Sequence, residues 1–147
     1  MTQKPHHMVS DMNYYGTFIR VAPDCPATEG TVPKERGGKQ TLGLIQYELL
    51  AGSPYALTQE DVLWEGHVRH KGLPSEEATP EAREAFFSKE MACLRASALP
   101  KQYGWGLHFD EEGKIKLYGV ETEEYAQFAE PKADGPEVKD AMRNKRA

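Results

Sequence analysis

The chain has 147 residues, 39% of them hydrophobic and 10% aromatic, which fits one self-supporting domain of the common ~100–200 residue range and excludes wholesale disorder. Its formal net charge is -5, which would repel a phosphate backbone unless the cations gathered on one face, so nucleic acid is not an expected partner. No stretch approaches the ~18 apolar residues of a membrane span, and the opening MTQKPHHMVSDMN lacks a signal-peptide core, so the expectation is a cytoplasmic protein with no membrane partner.

Residues 1–13 show little apolar periodicity and are expected to form a flexible leader before a single domain over 14–147. From Tyr14 the chain turns strand-like. Tyr15, Thr17, Ile19 and Val21 alternate with Gly16, Phe18 and Arg20 until Pro23 stops the run. Residues 23–40 hold three Pro and three Gly without any period, and a loop of more than about 12–15 residues is usually either functional or disordered. Thr41 then caps a helix in which Leu42, Ile45, Leu49 and Leu50 share an arc, ended by Gly52 and Pro54.

Thr58 opens a second helix, with Glu60 and Asp61 in its first turn and Leu57 and Val62 at the staple positions. It should run to about His70, where Lys71 and Gly72 close it. Thr79-Pro80-Glu81 starts a third helix that carries Phe86 and Phe87. The following KEMACLRASALPKQYG has no deciding period. In WGLHFDEEGKIKLYGV, a left-handed Gly113 makes Glu111-Glu112-Gly113 a three-residue hairpin loop. Counting outward pairs Phe109 with Ile115, Leu107 with Leu117 and Trp105 with Gly119 on one face, and His108 with Lys116 on the other. Thr122 caps a helix bearing Tyr125, Phe128 and Ala129, and Pro136 is expected to open a last, weakly attached helix with Val138, Met142 and a basic end. The sum is an α+β fold: a small, mainly antiparallel sheet built around the 104–119 hairpin, with helices packed on one face.

The strings YGTFIRVAPDCPATEGTVP, IQYELLAGSPYALTQEDV, FFSKEMACLRASALPKQYGWGLHFDEEGKIKLYG and AMRNKR resemble a family of small uncharacterised bacterial proteins carried as a domain of unknown function. The likeness runs from about Tyr14 to the C-terminus. It implies one domain and a bacterial, intracellular setting, and it implies no activity.

Several residues invite chemistry. Cys25 and Cys93 lie far apart without a CxxC spacing, so reduced thiols are expected and neither zinc nor redox motif is indicated. His67 and His70 are three apart on one helix face, and a third ligand would have to come from elsewhere, with His108, Cys93 and Glu65 as examples that the spacing does not choose between; with no third ligand at readable spacing, no metal or cofactor is assigned. Cys93 serves as a nucleophile only if a His and a carboxylate converge on it. No Walker loop, GxGxxG, HExxH or GxSxG pattern is present.

The densest run of donors is Arg95, Ser97, Lys101, Tyr103 and His108, with Asp24 in the long loop as the acid that would pair with Arg95 if that arginine is structural. Arg forks match carboxylate and phosphate bidentately, and hydroxyls complete such a cradle. The leading expectation is therefore a binding module for an anionic small molecule or acidic peptide. Two alternatives stand beside it, a motif-free enzyme using Cys93 or a His67/His70 metal centre, and a protein-interaction domain presenting Tyr and Trp rings.

Overall fold

Four strands, β1 (Thr17–Arg20), β2 (Trp105–Phe109), β3 (Ile115–Gly119) and β4 (Glu137–Asp140), form one sheet in the order β3-β2-β1-β4. The structure is a computed structural model and describes residues 12–89 and 92–145; most of the expected leader lies outside them. The hairpin pairs in the register its sequence dictates, Trp105 with Gly119 through Phe109 with Ile115. Gly113 is left-handed at φ 81°, the conformation that lets the turn rejoin a right-twisted ladder. Asp110 Oδ1 closes the same turn by accepting from the Glu112 and Lys114 N–H groups at 2.9 Å each.

Among the described residues five helices follow the caps, α1 (Leu42–Gly52), α2 (Gln59–Lys71), α3 (Pro80–Phe87), α4 (Ala98–Gln102) and α5 (Glu123–Ala129). Thr41, Thr58, Thr79 and Thr122 each accept a hydrogen bond from an N–H of the first turn, which satisfies donors the helix leaves orphaned. The undecided segment after α3 resolves into a 3-10 turn, Leu94–Ala96, and α4. Its entry is fixed by Gln59, which is fully buried: its Oε1 accepts from Leu94 N–H at 2.7 Å and its amide donates to the Met12 carbonyl. Among the described residues no helix is long and apolar enough to cross a membrane.

The register divides the sheet into two faces. Ile19, Leu107, Phe109, Ile115 and Leu117 point one way and join Leu50, Val62, Leu94 and Leu99 in the main core. Phe18, His108, Lys116 and Tyr118 point the other way, where Tyr125 and Phe128 of α5 lie 5.2 and 5.3 Å from the Phe18 ring. The helices are thus not confined to one face, because the Tyr125–Phe128 stripe covers a second apolar patch centred on Phe18. Gly106 makes that contact possible, since a Cβ there would stand 2.6 Å from Phe18 Cζ and 2.7 Å from Tyr125 Cε2.

The segment after Pro136 is a strand, and the expected helix is absent. Residues 137–140 pair parallel with Thr17–Arg20 along the open edge of β1, so the sheet is mixed. Glu137 N–H donates to the Gly16 carbonyl and Ala141 N–H to the Arg20 carbonyl, both at 2.9 Å. A helix with two apolar residues gains too little burial to survive alone, while the strand satisfies an otherwise bare sheet edge.

Candidate functional site

After β4 the chain becomes a strap over residues 141–145 that crosses the 3-10 turn, with Met142 N–H donating to the Arg95 carbonyl at 2.9 Å. Its end is tied down by Asp24. The Asp24 carboxylate accepts from Asn144 N–H at 3.0 Å, from Asn144 Nδ2 at 3.2 Å and from Lys145 N–H at 3.0 Å. Asn144 Nδ2 also donates to the Lys101 carbonyl at 2.9 Å. The hydrogen bond from the Asn144 backbone, then that from Lys145, holds the Asp24 carboxyl below its ordinary value.

Between the strap and the 3-10 turn lies an open groove of about 650 Å³, lined by Arg95, Asp140, Arg143, Asn144 and Lys145 with Pro23 and Met142 as apolar wall. Arg95 is anchored by its Nε, which donates to the Asp140 backbone carbonyl at 2.8 Å. The Asp140 carboxylate is taken by Arg20 Nε at 2.7 Å. Arg95, Arg143 and Lys145 have no carboxylate partner among the described residues. The groove therefore gathers uncompensated positive charge within an acidic protein, with a planar guanidinium held in place by its inner nitrogen. Burial, followed by the Cys93 thiol 3.4 Å away, pushes the Tyr14 hydroxyl up to about 12 against the pull of the Arg95 charge.

The fold brings Asp24, Arg95 and Lys101 together around the strap and places the other three expected residues elsewhere. Ser97 caps α4 and is buried, donating to Gln46 Oε1 at 2.7 Å. Tyr103 ends α4, and its carbonyl accepts from Thr31 N–H at 2.8 Å, which pins the 23–40 loop to the sheet together with Trp105 Nε1 donating to the Thr31 carbonyl at 2.8 Å. His108 sits on the opposite sheet face against Phe128. Arg95 and Asp24 do not pair, because each is engaged by a different part of the C-terminal segment.

His67 packs between Trp64 and Phe86, with centroids 5.8 and 4.5 Å away, and burial ahead of the Lys71 charge keeps its pKa below the ordinary value. No three His, Cys, Asp or Glu side chains converge to hold a metal ion among the described residues.

A family model matches residues 9–147. The chain belongs to DUF6157, a family of unknown function. No curated protein and no solved structure matches it. The DUF6157 match spans Asp24, Arg95 and the strap alike, so the groove lies wholly inside the family's extent. The sequence pattern gave no site role to Arg143, Asn144 or Lys145, the last two reading as part of the basic end of a weakly attached helix. The available signal was the basic run Arg143-Asn144-Lys145 directly after the mixed segment Val138-Lys139-Asp140-Ala141-Met142, which suits a strand and strap as well as a helix end.

Proposed function

We propose that this protein is a small binding module whose strap groove takes a small molecule carrying a carboxylate or phosphate group. The observation behind the reading is the set of cations, Arg95, Arg143 and Lys145, that face one groove without carboxylate partners among the described residues while the single acid there is engaged by Arg20. The groove's size falls within the ~300–1,000 Å³ typical of small-molecule sites. Arg95 brings a guanidinium anchored through its Nε to the groove, Arg143 and Lys145 add charge, and Met142 supports an apolar body. A cytoplasmic setting is part of the proposal, supported by two cysteines that are both free.

Isothermal calorimetry with citrate, inorganic phosphate and neutral glycerol tests the reading. The anions should bind, with affinity falling as salt rises, and glycerol should not. Arg95→Lys and the double variant Arg143→Gln/Lys145→Gln should each weaken anion binding about tenfold or more, the ~1.4 kcal/mol expected of one lost charge-assisted contact. Anion binding that is unchanged in both variants sinks the proposal.

A further inference from the structure

On the face away from the strap, the loop between α1 and α2 sends Tyr55 around the edge of the sheet. Tyr55 is the one non-glycine residue with positive φ among the described residues, at 55°, a conformation that a bulky side chain holds only when its surroundings impose it. Its N–H donates to the Ile115 carbonyl at 2.8 Å. That bond fixes the phenol so that its hydroxyl stands 2.8 Å from His108 Nδ1 and 3.0 Å from the Tyr118 hydroxyl. The imidazole is stacked on Phe128 at 4.2 Å and 18° and is met edge-on by Tyr55 at 87°. One polar atom of the cluster is left over: His108 Nε2 makes no hydrogen bond among the described residues.

His108 also forms a wall of a cleft of about 230 Å³ between the hairpin turn and the loop leading to β4, opposite Glu111, Asp134 and Gly135. Glu111 and Asp134 have no ion pair among the described residues, whereas the nearby Lys114 pairs with Glu112 at 3.6 Å and Lys116 lies over the Tyr118 ring at 4.9 Å. Asp110 Oδ1 is engaged by the turn.

We propose that this cleft is a second binding site, for a small molecule bearing a protonated primary amine, in which His108 Nε2 accepts a hydrogen bond from the ammonium and Glu111 and Asp134 supply the counter-charge. The chemistry constrains the hydrogen-bonded chain. When Nε2 accepts, Nδ1 carries the ring proton and donates to the Tyr55 oxygen, and Tyr55 then donates to the Tyr118 oxygen. Tyr55 is thus a positioning residue that fixes both the angle and the tautomer of the ring. The site is independent of the strap groove, lies on the other face of the sheet, and selects the opposite charge.

The test is an NMR titration of the full chain, labelled on the histidine ring, with the isosteric series n-butylammonium, n-butanol and butyrate. Butylammonium should shift the His108 ring resonances saturably and move Nδ1 to a protonated and Nε2 to an unprotonated position; butanol and butyrate should leave them in place. Glu111→Gln/Asp134→Asn, confined to the surface, should weaken butylammonium binding about tenfold or more. Tyr55→Phe should loosen the tautomer preference of the bound ring while the ring stays stacked on Phe128. No saturable His108 shift with butylammonium, a bound ring carrying its proton on Nε2, or equal binding by the Glu111→Gln/Asp134→Asn variant overturns the proposal.

Discussion

Successive residues of β2 enter two environments that differ in kind. Leu107 and Phe109 point into a core closed by α1, α2 and α4, in which the fully buried neighbours Ile19, Leu50, Val62, Leu94, Leu99 and Ile115 are aliphatic. His108, between them, points to a face roofed by α5, where the Phe18 and Phe128 rings are joined by the Tyr55 and Tyr118 hydroxyls, and where Arg20 and Asp140 form an ion pair further along. The first face is held mainly by dispersion and buried area, so it specifies packing. The second can be covered only if each polar tip finds a partner, so it holds a hydrogen-bonded chain whose last nitrogen is left for a ligand.

The contrast is broken most severely on the hydrocarbon side. Phe109 is fully buried, and Phe109→Ala should cost about 3–5 kcal/mol in chemical denaturation through lost transfer energy and the cavity left behind. Next comes the turn that feeds both faces. A Cβ on Gly113 would sit 3.0 Å from Tyr15 Cε1 and 3.1 Å from the Tyr14 carbonyl oxygen at φ 81°, so Gly113→Val should cost roughly 1–2 kcal/mol; an unchanged denaturation midpoint would refute the turn's role.

On the polar-aromatic side, Tyr55→Phe keeps the ring and removes the hydroxyl shared with His108 and Tyr118, with an expected loss of about 0.5–1.5 kcal/mol in the same assay. Less again is expected from acid. Burial lowers the pKa of His108 from its ordinary 6.5 and outweighs Asp110, and burial likewise lowers that of His67. A depressed folded-state pKa means the unfolded chain takes up the proton first. Stability is then fully present above pH 6.5 and declines as pH falls toward the folded values, ahead of the carboxylate range near ~4. The midpoint of His108→Gln measured against pH should fall less steeply in that window. Smallest is the ion pair: Arg20 and Asp140 are 37% and 41% exposed, and Arg20→Gln should change stability by only ~0–1 kcal/mol. Its larger consequence is on binding, because the freed Asp140 carboxylate would oppose an anion at Arg95, which calorimetry with phosphate would register as weaker affinity.

These outcomes follow how far each feature could be read before folding. The helix starts at Thr41, Thr58, Thr79 and Thr122 and the register from Trp105 to Gly119 were legible because the deciding groups lie within a few residues, or are brought opposite one another by a single turn. For the candidate sites, Arg95 and His108 stood out as residue types but not as places. Tyr55 and Tyr118 are separated from one another by 63 positions, and Asp24 from Asn144 by 120; no local period encodes such meetings. Asp24 could be taken as a partner for Arg95 because both are charged, whereas the fold gave each a backbone group instead.

The sequence by itself determined the caps, the hairpin, the alternation that makes one sheet face apolar, and the one-domain α+β class, since these depend on short-range hydrogen bonds and on the period of the pattern. Only the tertiary structure decided that residues 137–140 extend along β1, that α5 roofs the second face, and that the cations of the C-terminal strap come to Arg95. A bare strand edge, a Phe18 patch and the 141–145 strap each take their conformation from whichever distant partner leaves the fewest polar groups unpaired and the least apolar surface in water. That partner exists only once the rest of the chain has folded.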